Sequence, residues 1–289
     1  MSPCAQLLSS SYCVRADLHT HTTASDGRLS PPGLVEKAAL RGIELLSITD
    51  HDTVAAYPLA RIAAQQHGVT LLPGVELSVQ VGRRDIHLLA YGFDLTDPAL
   101  GAALAEYRTK RITRAETIVE RLAGLGVRIR FERVWYHAKG GVLGRPHIAK
   151  ALLEAGLVAT FGEAFDRYLG TEAPAYVAKT DQPASAMMAL VHAAGGVTVL
   201  AHPGINLDEA VGAALVADGL DGVEVVHPSH NPLAKRRWAA FAAQHDLLTT
   251  GGSDYHGFGT FEDENFGSYT PPSAWVERLL ARVAHPEAA

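Results

Sequence analysis

Short apolar runs alternate with helix-like stretches along most of the chain, a rhythm that predicts βα units and a largely parallel sheet. Residues 13–18 read as a first strand and 43–49 as a second. Between them Pro31-Pro32-Gly33 opens an Ala-rich helix over 34–41, which Gly42 stops. Residues 69–72 form the next expected strand. Segments 76–81 and 86–93 flank Gly82-Arg83-Arg84 and predict a hairpin. The stretch 97–125 breaks this rhythm: it is long, rich in Ala, Arg and Glu, and helical, with charges that read as one solvated face. Residues 143–176 add short helical pieces interrupted by Gly and Pro. The βα pattern then returns, with a helix over 184–194, strands over 197–200 and 222–226, a helix over 232–245 and a strand over 247–250. The expected organisation is α/β: a barrel-like domain assembled from residues 12–94 and 180–284, with a helical cap inserted over 95–179.

Composition narrows the class of protein. The 289 residues are 47% hydrophobic and 19% charged, an ordinary globular mixture long enough to bury a full core. A net charge of −6 argues against non-specific attachment to duplex nucleic acid or an anionic membrane, so any phosphate must be met by local cations. No apolar run reaches the roughly 18 residues of a membrane span. Cys4 and Cys13 are too few for a disulfide framework, and residues 1–11 lack the basic start and apolar centre of a signal peptide. A reducing cytoplasm is the expected compartment. The departure from the ordinary is in the fourteen histidines.

Many of them follow apolar runs, together with carboxylates. The first strand leads into Asp17-Leu18-His19-Thr20-His21, with Asp26 soon after, and the second into Thr49-Asp50-His51-Asp52. Glu76 follows Pro73-Gly74-Val75, His87 sits within an apolar run, His202 follows Val199-Leu200-Ala201, and His227 follows Val225-Val226. Asp254 and His256 come after the last strand. In α/β barrels, active-site groups gather at the C-terminal ends of strands, so residues scattered along the sequence would converge on one face. Side chains at i and i+2 of a strand point the same way, which lets His19 act with His21 and Asp254 with His256. A mixed His/carboxylate set without Cys suits Zn2+, Mn2+ or Fe2+ and disfavours an iron–sulfur cluster. A divalent ion of that kind can activate water as a nucleophile. Further cations that could grip phosphate are Arg145 and His147 in Gly-Arg-Pro-His, Lys179, and His227 and His230 in His-Pro-Ser-His.

The segments DLHTHTTASDG, LLSITDHDT, PGVELS, IHLLAYGFD, AHPG, VEVVHPSHN and GGSDYHG closely resemble the polymerase-and-histidinol-phosphatase family, in order and over nearly the whole chain. The resemblance implies a distorted (β/α)7 barrel with two or three divalent ions, manganese favoured, at the strand ends. It implies a first metal on His19, His21, Glu76 and Asp254. A second, bridged by Glu76, would be completed by His87 and His202, and a third held by Asp26, His51 and His256. GRPH at 144–147 resembles the subgroup acting on 3′,5′-nucleotide bisphosphates and short RNA ends. The expected partner is a small nucleotide or a short oligoribonucleotide. The alternatives are a histidinol-phosphate phosphatase, a metal-dependent C–N hydrolase on a similar barrel, and a metal-stabilised nucleotide-binding module without catalysis.

Overall fold

A computed structural model describes residues 14–82, 84–138, 141–178, 182–204 and 207–283. Its strands fall into two sheets. The first contains β1 (Ala16–Asp17), β2 (Leu45–Leu46) and β3 (Thr70–Leu71), all parallel. The second runs β4 (Gly74–Val81), β5 (Arg84–Tyr91), β6 (Val197–Leu200), β7 (Gly222–Val226) and β8 (Leu248–Gly251). The expected hairpin is present as the antiparallel β4–β5 pair, with Glu76 opposite Leu89 and Ser78 opposite His87. Strand β6 is also antiparallel to β5, whereas β6, β7 and β8 run parallel. Single bridges, His51 to Glu76 and Thr20 to Tyr255, link the sheets. The result is a mixed α/β fold built on two sheets, not on one continuous closed barrel.

Helices cover the sheets where their apolar faces require it. Helix α1 (Pro31–Leu40) starts at Ser30, whose side chain accepts from the Gly33 N–H, and buries Leu34, Val35 and Ala38. Helix α2 (Tyr57–His67), not anticipated from the sequence, ends at Gly68, whose φ of 69° supplies the left-handed cap. The long helix α3 (Pro98–Gly124), capped by Asp97, leads into α4 (Phe131–Ala138), α5 (Arg145–Glu154) and α6 (Phe161–Ala164), followed by a π-turn over Phe165–Leu169. Residues between Ala115 and Ala175 form a hydrophobic cluster of their own, including Ile118, Leu122, Ile148, Leu152 and Leu169. Helices α7 (Ala184–Ala193), α8 (Glu209–Ala217) and α9 (Pro232–Gln244) accompany β6 to β8. After the short α10 (Thr260–Asn265), α11 (Ser273–Val283) packs Val276, Leu279, Leu280 and Val283 among Leu18, Leu45, Tyr91 and Val199. That single amphipathic stripe joins the interiors of both sheets. No described helix is long and apolar enough to cross a membrane.

Candidate metal centre

Most of the polar groups follow strands, as expected, but Glu76 and His87 lie within β4 and β5. His19 and His21 follow β1, where the His21 N–H donates to the Tyr255 carbonyl at 2.8 Å. Close approach is built in at Gly252, where a Cβ would lie 2.4 Å from the His19 Cβ. His51 follows β2 and is tied to β4 because the Asp52 N–H donates to the Glu76 carbonyl at 2.9 Å. Three residues of this region, Asp52, His202 and Asp254, adopt left-handed backbone with φ of 51°, 28° and 49°. Such conformations are costly and cluster at functional sites.

Glu76 is the hub. Its Oε2 lies 3.4 Å from His19 Nε2, 3.2 Å from His21 Nε2 and 3.1 Å from His51 Nδ1. Its Oε1 lies 2.8 Å from His87 Nδ1 and 3.0 Å from His202 Nε2. Asp254 Oδ1 stands 3.3 Å from His19 Nε2 and 3.2 Å from His21 Nε2. Asp26 receives His256 Nε2 at 3.3 Å and has His51 Nε2 and His21 Nδ1 at 3.8 Å. Burial would raise the Glu76 pKa, but the surrounding imidazoles, His51 and His87 foremost, hold it well below the usual carboxylate range. Burial likewise depresses His21, yet Asp254 and Glu76 lift it to about 10.

The donor set fits divalent ions. His19 Nε2, His21 Nε2, His51 Nδ1 and Glu76 Oε2 are all buried without a hydrogen-bond partner. Orphaned polar atoms are costly singly, and four that converge call for a cation between them. Neighbouring ligands about 2.1 Å from one ion stand roughly 3.0–3.4 Å apart, which matches the spacings around Glu76 and Asp254. Four overlapping groups can hold a metal: His19, His21, Glu76 and Asp254; His21, Asp26, His51 and His256; His51, Glu76 and His87; and His19, Glu224 and His227. All nine residues expected as ligands are therefore brought together. His51 stands between the second and third expected sets, and His202 joins through Glu76.

Glu224 was not anticipated, since it sits within the apolar β7. Fully buried, it accepts from His19 Nδ1 at 3.0 Å and from the His202 N–H at 2.8 Å, orienting two candidate ligands at once. Asp50 and Asp52 are also structural. Asp50 accepts from Thr22 and Ser25, whereas Asp52 accepts from the Ser78 N–H at 2.7 Å.

The expected phosphate-gripping residues separate into different environments. Arg145 lines a cleft of ≈ 320 Å³ together with His87, His202, Asp85 and Thr171, and its Nη1 donates to the Leu169 carbonyl at 3.0 Å. His227 faces Asp254 Oδ2 at 3.3 Å and lines a second cleft, ≈ 260 Å³, with Asp254 and His256. His147 is buried, and its Nδ1 accepts from the Gly144 N–H at 3.0 Å, capping its own helix. Both nitrogens of His230 are taken by backbone: Nδ1 donates to Val225 and Nε2 accepts from Gly204, leaving neither for phosphate. Lys179 lies outside the described residues. The solvated face expected on α3 is corrected by two inward arginines. Arg111 pairs with Asp52, and the Nη2 of Arg114 is buried without a partner. Arg114 and Arg145 both lie over the Tyr176 ring, at 5.8 and 5.6 Å. Burial, followed by repulsion from Arg145 and Arg111, lowers the Arg114 pKa to about 10.

A family model for the PHP domain matches residues 17–195. The 5′-3′ exoribonuclease Rnm of Salmonella typhimurium is 36% identical over 87% of this chain and 88% of its own length. The 3′,5′-nucleoside bisphosphate phosphatase of Chromobacterium violaceum is 33% identical over 93% of this chain and 98% of its own. A solved structure from Bifidobacterium adolescentis, described as a metal-dependent phosphoesterase, superposes with a TM-score of 0.84 at 35% identity, covering 92% of this chain and 96% of that one.

Proposed function

Because the chain belongs to the PHP-domain family and is a metal-dependent phosphoesterase, we propose that its substrate is a nucleoside 3′,5′-bisphosphate, which loses the 3′-phosphate. The observation that carries this reading is the cleft in which Arg145 shares walls with His87 and His202. A cation held there stands beside the candidate ligands without belonging to them, as a grip on a second, non-reacting phosphate requires.

His19, His21, Glu76 and Asp254 would hold one divalent ion; Glu76 with His87 and His202 a second; and Asp26, His51 and His256 a third. Manganese is the first choice, with zinc or iron(II) as alternatives. When bound, such ions lower the pKa of water for attack on phosphorus and neutralise the phosphoryl oxygens. The chain's own side chains supply position. Arg145 binds the 5′-phosphate, and Glu224 fixes the His19 ring through Nδ1. Binding energy from the remote phosphate thereby orients the reacting one.

The test compares kcat/KM for the bisphosphate and for each monophosphate, in wild type and Arg145→Ala. The bisphosphate should be preferred at least about tenfold, a difference of roughly 1.4 kcal/mol. Arg145→Ala should erase most of that preference with metal content intact. Equal wild-type values would remove the second-phosphate grip. A second reading, hydrolysis of short RNA from its 5′ end, is favoured by a larger cleft on the Asp26 side, ≈ 450 Å³, and by the name of the Salmonella relative.

A further inference from the structure

A small pocket between β4 and α3 is lined by Ser78, Lys110, Arg111, Arg114 and Gln182, and shares no residue with the Arg145 cleft. Its volume, ≈ 20 Å³, admits one small ion or molecule and excludes a nucleoside. Three of the lining residues are cations, and none of the described ones is acidic. Two of the three are already neutralised: Lys110 pairs with Glu106 at 2.7 Å and Arg111 with Asp52 at 2.6 Å. Arg114 has no such partner among the described residues. Its Nε donates to the Val177 carbonyl at 2.8 Å, which anchors one edge of the guanidinium, while Nη2 is buried without a partner. Gln182 is 7% exposed, and its Oε1 is also buried without a partner. The residue is held to β4, because the Gln80 N–H donates to its carbonyl at 2.8 Å. Ser78 Oγ accepts from Arg111 Nη2 at 2.7 Å, so its own hydroxyl proton is left to donate elsewhere.

A buried guanidinium without a counter-charge is costly, and a bridging water would satisfy its hydrogen bonds but not its charge. An oxyanion does both. Its oxygens accept from the guanidinium and the serine hydroxyl, and a protonated oxygen of the same ion can donate to the glutamine carbonyl. We propose that this pocket binds one small oxyanion of the hydrogen phosphate class, held by Arg114, Ser78 and Gln182 and separate from the metal centre. Burial, and then repulsion from Arg145 and Arg111, lower the Arg114 pKa to about 10, and a bound anion offsets both. The ion would sit against Arg111, the partner of Asp52, so its binding should stabilise the fold.

The test uses manganese-loaded full-length protein and radiolabelled inorganic phosphate in equilibrium dialysis. Because bound metals attract phosphate too, the reading is a difference between proteins. Wild type should hold one phosphate per chain more than Gln182→Leu or Arg114→Gln, and should keep it when a nucleoside 5′-monophosphate is added in excess. Gln182→Leu should leave metal content and kcat/KM for the bisphosphate unchanged. Phosphate should also raise the melting temperature further in wild type than in either variant. Equal phosphate counts in all three folded proteins overturn the inference. So does a count that falls together with kcat/KM in Gln182→Leu, or an extra phosphate that the monophosphate displaces, since the pocket would then belong to the substrate site. Dialysis needs no turnover, so failure of the bisphosphate as a substrate leaves this test intact.

Discussion

Arg111 closes on Asp52 through a single carboxylate oxygen, with Nε at 2.7 Å and Nη2 at 2.6 Å from Oδ2. The same guanidinium donates to Ser78 Oγ at 2.7 Å and to the Leu143 carbonyl at 3.1 Å, so α3, β4, the loop after β2 and the approach to α5 meet at one side chain. Asp52 is the residue next to His51, and its backbone is left-handed, with φ of 51°.

Arg111→Leu should therefore lower both stability and turnover. Removing one partner of a buried pair leaves the other uncompensated and costs about 3–5 kcal/mol. Arg111→Lys should recover part of the stability, since the charge returns without the fork. The double variant Arg111→Leu/Asp52→Leu should lose less than the sum of the singles in urea unfolding. Strict additivity would show that the pair does not act as a unit.

Glu224 touches no expected substrate, yet Glu224→Ala should weaken metal binding about 10–100-fold, the usual cost of losing the group that orients a ligating histidine. Activity should return when manganese is raised in proportion. Unchanged affinity in a competition titration against a chromogenic chelator would deny Glu224 that orienting role.

Stripped and reloaded wild-type protein should take up at least two divalent ions per chain. Because both oxygens of Glu76 face imidazoles, Glu76→Ala should lose more than one ion equivalent. Asp254→Asn should lower metal content together with activity, a neutral amide being the poorer ligand. Full occupancy with activity abolished would point Asp254 to proton transfer instead.

His147 gives a pH prediction. Burial lowers its pKa to about 4 from the ordinary 6.5, so the unfolded chain binds the extra proton between these values. Stability contributed by neutral His147 is thus present above the unfolded pKa and is lost as pH falls from about 6.5 through 4. The full loss is up to ~3 kcal/mol. His147→Gln should flatten the slope of unfolding free energy in that window. An identical slope in both proteins, from urea melts at several pH values, would rule out this contribution.

The sequence made the metal centre readable because the chemistry demands His, Asp and Glu where apolar runs stop, and that pattern survives in one dimension. His19, His21, Glu76 and Asp254 could be picked out as ligand-type residues on that ground alone. Glu224 escaped because a carboxylate inside Gly222–Val226 looks like the polar phase of an alternating strand. Arg111 and Arg114 escaped because a helix rich in Arg and Glu gives no sign of which turn faces inward. His230 resembled a phosphate ligand, but its partners are the Val225 and Gly204 backbones, which no side-chain pattern can reveal. The helices at 57–67 and 273–283 went unseen, although the spacing of Val276, Leu279, Leu280 and Val283 is legible once sought. How the strands join into sheets depends on register, which apolar runs alone leave open.

Among the described residues other than glycine, left-handed backbone occurs at four positions, and three of them, Asp52, His202 and Asp254, surround the metal centre. Each such conformation costs on the order of 1 kcal/mol or more, which the rest of the fold must absorb. Durability and turnover are therefore in tension in this molecule. A lineage adapting to heat gains most cheaply by relaxing these turns, and there each gain in ruggedness blunts the catalyst. Engineering for endurance belongs instead in the helices remote from the strand ends, where the catalyst has nothing to lose.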